Sequence, residues 1–168
     1  LFIDQVASSQ ILLHFSLKAP ENYGITESQT FFDDYTLASQ VEDMAETKEL
    51  LNTLNSCNTQ HLTAQQQLTY FTLQKYIETE LLSDGLELYK QPLSTTIGVQ
   101  AQLPILLGEY RLEDKQDVED YLTLLSNIDE YYRQLIGFYQ QKADAGLMPS
   151  DRTIDHIIES CESYILVP

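Results

Sequence analysis

Residues 117–146 read DVEDYLTLLSNIDEYYRQLIGFYQQKADAG, and the spacing in this stretch decides the fold. Val118, Tyr121/Leu122, Leu125, Ile128, Tyr132, Leu135/Ile136, Tyr139 and Ala143 recur with a 3.6-residue period, which predicts one long amphipathic helix. Asp117 is the expected N-cap, and Glu119 and Asp120 complement the positive end of the helix dipole. Gly146, then Leu147, with Pro149 just beyond, supplies the stop. The 28 residues from Val118 to Ala145 span roughly 42 Å at 1.5 Å per residue. A compact chain of this length has a radius of gyration of about 15 Å, so the helix is expected to act as a spine.

Upstream, the pattern is also helical. Phe2, Val6, Ile11/Leu12 and Phe15 make an imperfect stripe over Phe2 to Leu17, ended by the turn chemistry of residues 19–24. A second helix is expected from Thr36 to Asn55, with Leu37, Val41, Met44, Leu50/Leu51 and Leu54 facing inward. Its outer face would carry Glu42, Asp43, Glu46 and Glu49. Thr63 opens a capping box with Gln66, and that third helix should hold to about Asp84, where Gly85 and Leu86 resemble a Schellman stop. Ser150 can cap a last helix through Ile154, Ile157/Ile158 and Cys161. The fold class is therefore all-α: about four to six helices in an elongated bundle, forming one domain of 168 residues.

One segment departs from the helical pattern. Gln91 to Gly108 holds no charged residue, in a chain that is 21% charged, and it contains Pro92, Gly98, Pro104 and Gly108. It reads as a long connector in which Pro104 opens at most a short helix over 103–107. Connections of this length are usually functional, although packing into a groove of the domain's own is the plainer alternative. Ile97, Val99, Leu103, Ile105, Leu106 and Leu107 supply apolar area, and Gln100 and Gln102 supply amides able to grip an extended backbone. Gln100, Gln102, Leu103, Pro104, Leu106 and Tyr110 are therefore the candidate contacts for a partner or substrate.

Charge excludes several functions. Nine Lys and Arg against 26 Asp and Glu give a formal net charge of −17, which repels nucleic acid and anionic membranes. No run of apolar residues is long enough for a transmembrane helix. The opening LFIDQ lacks a signal peptide's basic region and an initiator Met, and the last residues are apolar. Both ends lead us to expect a piece of a longer chain. Cys57 and Cys161 are too few for a disulfide framework; one bridge and two buried thiols are both compatible with the sequence.

The catalytic inventory is thin. His156 and Glu159 lie three apart and could face one metal, but a site needs three or four converging ligands. His14, among Leu12, Leu13 and Phe15, is expected to be a hydrogen-bonded core histidine, and His61 lies in a polar loop. The acidic run 113–120 lacks the glycine and terminal Glu of an EF-hand and reads as a solvated helix start. There is no phosphate loop, nucleophile elbow or HExxH. No catalytic residue, metal ligand or cofactor is expected in this chain.

Six pieces taken in order carry a resemblance: Pro20-Glu21-Asn22-Tyr23-Gly24-Ile25, Gln91-Pro92-Leu93-Ser94, Gly98-Val99-Gln100-Ala101-Gln102-Leu103-Pro104, Glu109-Tyr110, Asp117-Val118-Glu119-Asp120-Tyr121-Leu122 and Lys142-Ala143-Asp144-Ala145-Gly146-Leu147. Together they resemble the N-terminal part of a bacterial family known as domain of unknown function 885. The resemblance implies helical, gluzincin-like zinc metallopeptidases, often secreted or lipid-anchored at the cell envelope. Their chemistry would reside in a His-Glu-x-x-x-Gly-His-His type motif and a later Glu, and no position here corresponds to these. The expectation is a non-catalytic N-terminal region that walls a substrate cleft, with the C-terminal catalytic half and a peptide substrate as partners. A free-standing helical binding module that uses residues 91–108 as its surface is the alternative.

Overall fold

In a computed structural model, the residues described are 7–25, 28 and 32–165. They form six α-helices with no strand among them: α1 (Gln10–Ser16), α2 (Leu37–Asn55), α3 (Ala64–Glu80), α4 (Val99–Gly108), α5 (Lys115–Asp144) and α6 (Asp151–Ile165). The fold is all-α, as the periodicity implied. The first predicted helix is seen from Gln10 to Ser16, and residues 2–6 of that prediction lie outside the described residues.

The chain divides into two compact units, residues 1–35 with 91–168, and residues 36–90. The first is organised on α5, whose 30 residues correspond to about 45 Å. Its N-cap is Asp114 rather than Asp117. The Asp114 carboxylate accepts the Asp117 N–H at 3.0 Å, and the Asp117 carboxylate accepts the Asp114 N–H at 3.2 Å, which makes a reciprocal capping box. The C-terminus closes as a Schellman motif: Leu147 N–H to Lys142 C=O at 2.8 Å, Gly146 N–H to Ala143 C=O at 3.0 Å, with Gly146 at φ 70°.

The buried stripe of α5 is Leu124, Tyr131, Leu135, Phe138 and Lys142. The periodicity was right and its phase was one residue off, so Leu125, Ile136 and Ala143 face solvent. Apolar residues occur as adjacent pairs along this helix, so either member fits the period; only packing chooses. Leu124, Tyr131 and Leu135 form a core with Phe32, Leu103 and Tyr110.

Residues 91–108 correct the expected connector. The helix α4 begins at Val99, and Pro104 lies inside it. Proline withholds one N–H, the donor that would otherwise reach the Gln100 carbonyl. Ahead of α4, the Tyr139 hydroxyl accepts the Leu93 N–H at 3.1 Å and donates to the Leu93 carbonyl at 3.2 Å, fixing the segment to α5. Gly98 is required by a close approach: a Cβ there would lie 2.3 Å from the Ser94 nitrogen. At the far side, the Tyr164 hydroxyl of α6 donates to the Ala101 carbonyl.

The second unit is the antiparallel pair α2 and α3. Thr36 caps α2 by accepting the Ser39 N–H, and Thr63 caps α3 as expected, through the full capping box with Gln66. Gln74 Nε2 donates to Asn55 Oδ1 at 2.7 Å near one end, and Lys48 pairs with Asp84 at 2.8 Å near the other. Gln40 and Met44 are the buried positions of α2, whereas Val41 is exposed. The helix α3 tightens into a 3-10 turn at Leu81–Ser83 before Gly85 at φ 77°.

Candidate functional site

Among the described residues of the first unit, two concavities bear on function. One, of about 260 Å³, is formed where α4 faces α1 and the chain entering from residue 32. Gln102, Leu103 and Leu106 of α4 line it, so three of the six candidate contacts meet there. Leu12 and Phe15 of α1 form the opposite wall, and Phe32, Asp33, Tyr35 and Tyr131 complete it. Phe32 stacks on Tyr131 with centroids 4.6 Å apart, and Tyr35 meets Tyr131 edge-on at 5.6 Å. Phe32 and Tyr35 were not identified from the sequence, because residues 32–35 follow neither a helical nor a strand period, and Tyr131 was passed over for its neighbour Tyr132.

Electrostatics distinguish this pocket. Burial raises the pKa of the Tyr131 hydroxyl far above its ordinary value of 10.0, with smaller contributions from Tyr35 and from the Asp33 carboxylate. Tyr35 is raised by burial first and by Asp33 second. The Asp33 charge therefore acts on the aromatic wall, and among the described residues no basic side chain lines the space.

The other candidates lie elsewhere. Gln100 is buried; its Nε2 donates to the Ser94 carbonyl at 2.5 Å, and its Oε1 has no hydrogen-bond partner among the described residues. Tyr110 is buried against His14, burial raising its hydroxyl pKa, and Pro104 is half-buried within α4. Ile105 and Ile97 point outward, at 54% and 74% exposure.

The second concavity, about 190 Å³, lies beside the start of α5 and is lined by Gln10, His14, Lys18, Arg111, Asp117 and Asp120 among others. Its polar groups are largely engaged with one another. Gln10 Nε2 donates to Asp120 at 3.0 Å, Arg111 Nη2 donates to the His14 carbonyl at 2.6 Å, and Asp117 accepts the Glu113 N–H at 2.8 Å. His156 Nδ1 and Glu159 Oε2 lie 3.5 Å apart on an exposed face of α6. Among the described residues, no group of three His, Cys, Asp or Glu side chains converges on a metal position. Cys57 and Cys161 are free thiols, and burial raises the Cys161 pKa, the reverse of an activated nucleophile.

Residues 20–168 match the family model described as Bacterial protein of unknown function (DUF885). This chain belongs to the DUF885 family. Comparison with curated proteins and with solved structures gave no match. The pieces on which the sequence resemblance to DUF885 rests are mostly joints of the fold. Pro20 opens a 3-10 turn closed by Gly24 at φ 75°, Leu93 is held by Tyr139, Asp117 completes the α5 cap, and Lys142 to Leu147 form its Schellman end. Gly98 to Pro104 is the exception, since it also builds the wall of the apolar pocket. Among the described residues no helix is long and apolar enough to cross a membrane.

Proposed function

We propose that this DUF885 chain is the non-catalytic N-terminal helical region of a zinc-dependent metallopeptidase, and that it walls the substrate cleft. The observation that carries the reading is the uncharged 91–108 segment. It places Leu103 and Leu106 on an open apolar pocket beside the exposed amide of Gln102. An apolar recess flanked by an amide suits a peptide, whose side chain can enter while its backbone finds a donor and an acceptor.

Zinc is implied by the resemblance for the whole enzyme and has no fitting donor set among the described residues, where the nearest approach is the exposed His156–Glu159 pair. The C-terminal half of the same protein would supply the metal, the general base and the electrophile. An extracytoplasmic or envelope-anchored location is part of the same proposal and rests on the resemblance alone.

The reading frame beyond Pro168 and a kinetic comparison test this reading together. The gene product that includes any downstream HExxH-type motif should cleave peptides when loaded with zinc. In it Leu106→Asp should raise KM at least tenfold while leaving zinc content intact. A stop codon at that point would favour the free-standing binding module. Unchanged KM in the variant would remove α4 from the cleft.

A further inference from the structure

The apolar pocket has a chemical asymmetry that narrows its occupant. At about 260 Å³ it is smaller than the roughly 300–1,000 Å³ of sites that enclose whole small molecules, so it suits one side chain. Leu12, Phe15, Leu103 and Leu106 give it aliphatic and aromatic walls. On the remaining side Asp33, itself exposed, lines the pocket and its charge acts on Tyr35 and Tyr131, and no basic side chain answers it among the described residues of the lining.

A purely apolar side chain would satisfy the walls and leave that carboxylate facing it without a counter-charge. A long basic side chain satisfies both. Its methylene stem can lie along apolar surface while its head stays at the polar rim. A cation beside aromatic faces gains further from their quadrupoles. The chain's net charge of −17 favours the approach of a cationic peptide over an acidic one.

Resting on the peptide-cleft reading above, we propose that this pocket is a specificity site for a lysine or arginine side chain of the bound peptide, its stem between Phe15 and Leu106 and its cationic head at Asp33.

The test is a titration of this chain with three blocked tripeptides, acetyl-Ala-X-Ala-amide, where X is lysine, norleucine or glutamate. The Leu103 and Leu106 methyl resonances report on the pocket. The lysine peptide should shift them and bind about tenfold more tightly than its norleucine counterpart, with the glutamate peptide weakest. Asp33→Asn should bring the lysine and norleucine affinities together without altering that for norleucine. Raising the salt concentration should narrow the same gap. Equal binding of lysine and norleucine by the unmodified chain, or a preference that survives Asp33→Asn, overturns the basic specificity and leaves the peptide-cleft reading in place. If none of the three peptides moves the Leu103 and Leu106 methyls, the peptide contact itself fails.

Discussion

The rings of His14 and Tyr110 lie face to face, 3.6 Å between centroids and 11° from parallel. The Nε2 atom of that imidazole accepts the Arg111 backbone N–H at 2.9 Å. One side chain of α1 thus holds the link between α4 and α5 through a stacked face and an acceptor nitrogen together. The acceptor role requires Nε2 to be unprotonated. Burial, and then the Arg111 charge, lower the pKa of His14 below its ordinary 6.5, outweighing Asp117, Glu113 and Asp120, which act the other way.

That shift has a definite sign in the stability of the protein. The folded state disfavours the proton, so the unfolded chain takes it up first as pH falls. The contribution is fully present above pH 6.5 and is lost as pH falls from there towards the lower folded value. His14→Phe keeps a ring to stack and removes the titrating nitrogen. At pH 7.5 it should cost about 1 kcal/mol, the lost hydrogen bond. Thermal melts at pH 7.5 and 5.5 should show the gap between the two proteins shrinking at the lower pH. An NMR titration placing His14 at or above 6.5 would show that the neighbouring acids dominate.

Gly98→Ala should destabilise the protein by about 1–3 kcal/mol through overpacking. A Cβ at this position would lie 2.1 Å from Gln100 Oε1 and 2.3 Å from the Ser94 nitrogen. The glutamine could swing away, but the backbone nitrogen cannot. Shortening the side chain with Gln100→Ala should therefore rescue only part of the loss. A melting temperature unchanged by Gly98→Ala alone would disprove the close approach.

The spine shows how far the sequence was legible. Its existence, length and stop signal were all readable because a 3.6-residue period over many turns has no strand alternative. Its phase was not, because Leu124/Leu125, Tyr131/Tyr132 and Phe138/Tyr139 offer two nearly equal stripes. Lys142 reverses the usual expectation outright. It is fully buried, with its ammonium 5.6 Å from the Phe138 ring centroid and 5.9 Å from that of Tyr139, and burial lowers its pKa. Charge alone places a lysine outside; here the aliphatic stem is packed and the head meets aromatic faces.

Lys142→Ala should for that reason behave as a core deletion, costing about 2–4 kcal/mol. Lys115→Ala, at the exposed start of the same helix, should cost under about 0.5 kcal/mol. Chemical denaturation of both variants makes the comparison. Equal, small losses would place Lys142 at the surface.

The pocket was half legible. An uncharged run in a chain of net charge −17 pointed to α4, and Gln102, Leu103 and Leu106 do line the recess. Its other wall comes from residues about 70 to 90 positions earlier, and no spacing rule connects Phe15 or Phe32 to Leu103. Gln100 within that run and Tyr110 just beyond it went into the interior, where a backbone carbonyl and a ring face were available to them.

The two faces of α4 give the last prediction. Leu103 is 5% exposed and belongs to the core with Leu124, Tyr131 and Leu135, whereas Ile105, two residues on, is 54% exposed. On a helix, two residues amount to about 200°, so the pair samples opposite sides of one element. Leu103→Ala removes methyl groups from a packed site and leaves a cavity beside Tyr131, which should cost about 2–5 kcal/mol. Ile105→Ala removes more exposed apolar surface than buried surface and trades a β-branched residue for a better helix former, so it should stay within about 0.5 kcal/mol. Urea unfolding of each variant, read by far-UV circular dichroism, gives both numbers with a common slope. Because Leu103 also lines the pocket, its substitution should weaken peptide binding as well, while Ile105→Ala should leave binding unaltered. Similar losses of stability for both variants would mean that α4 is covered on both faces.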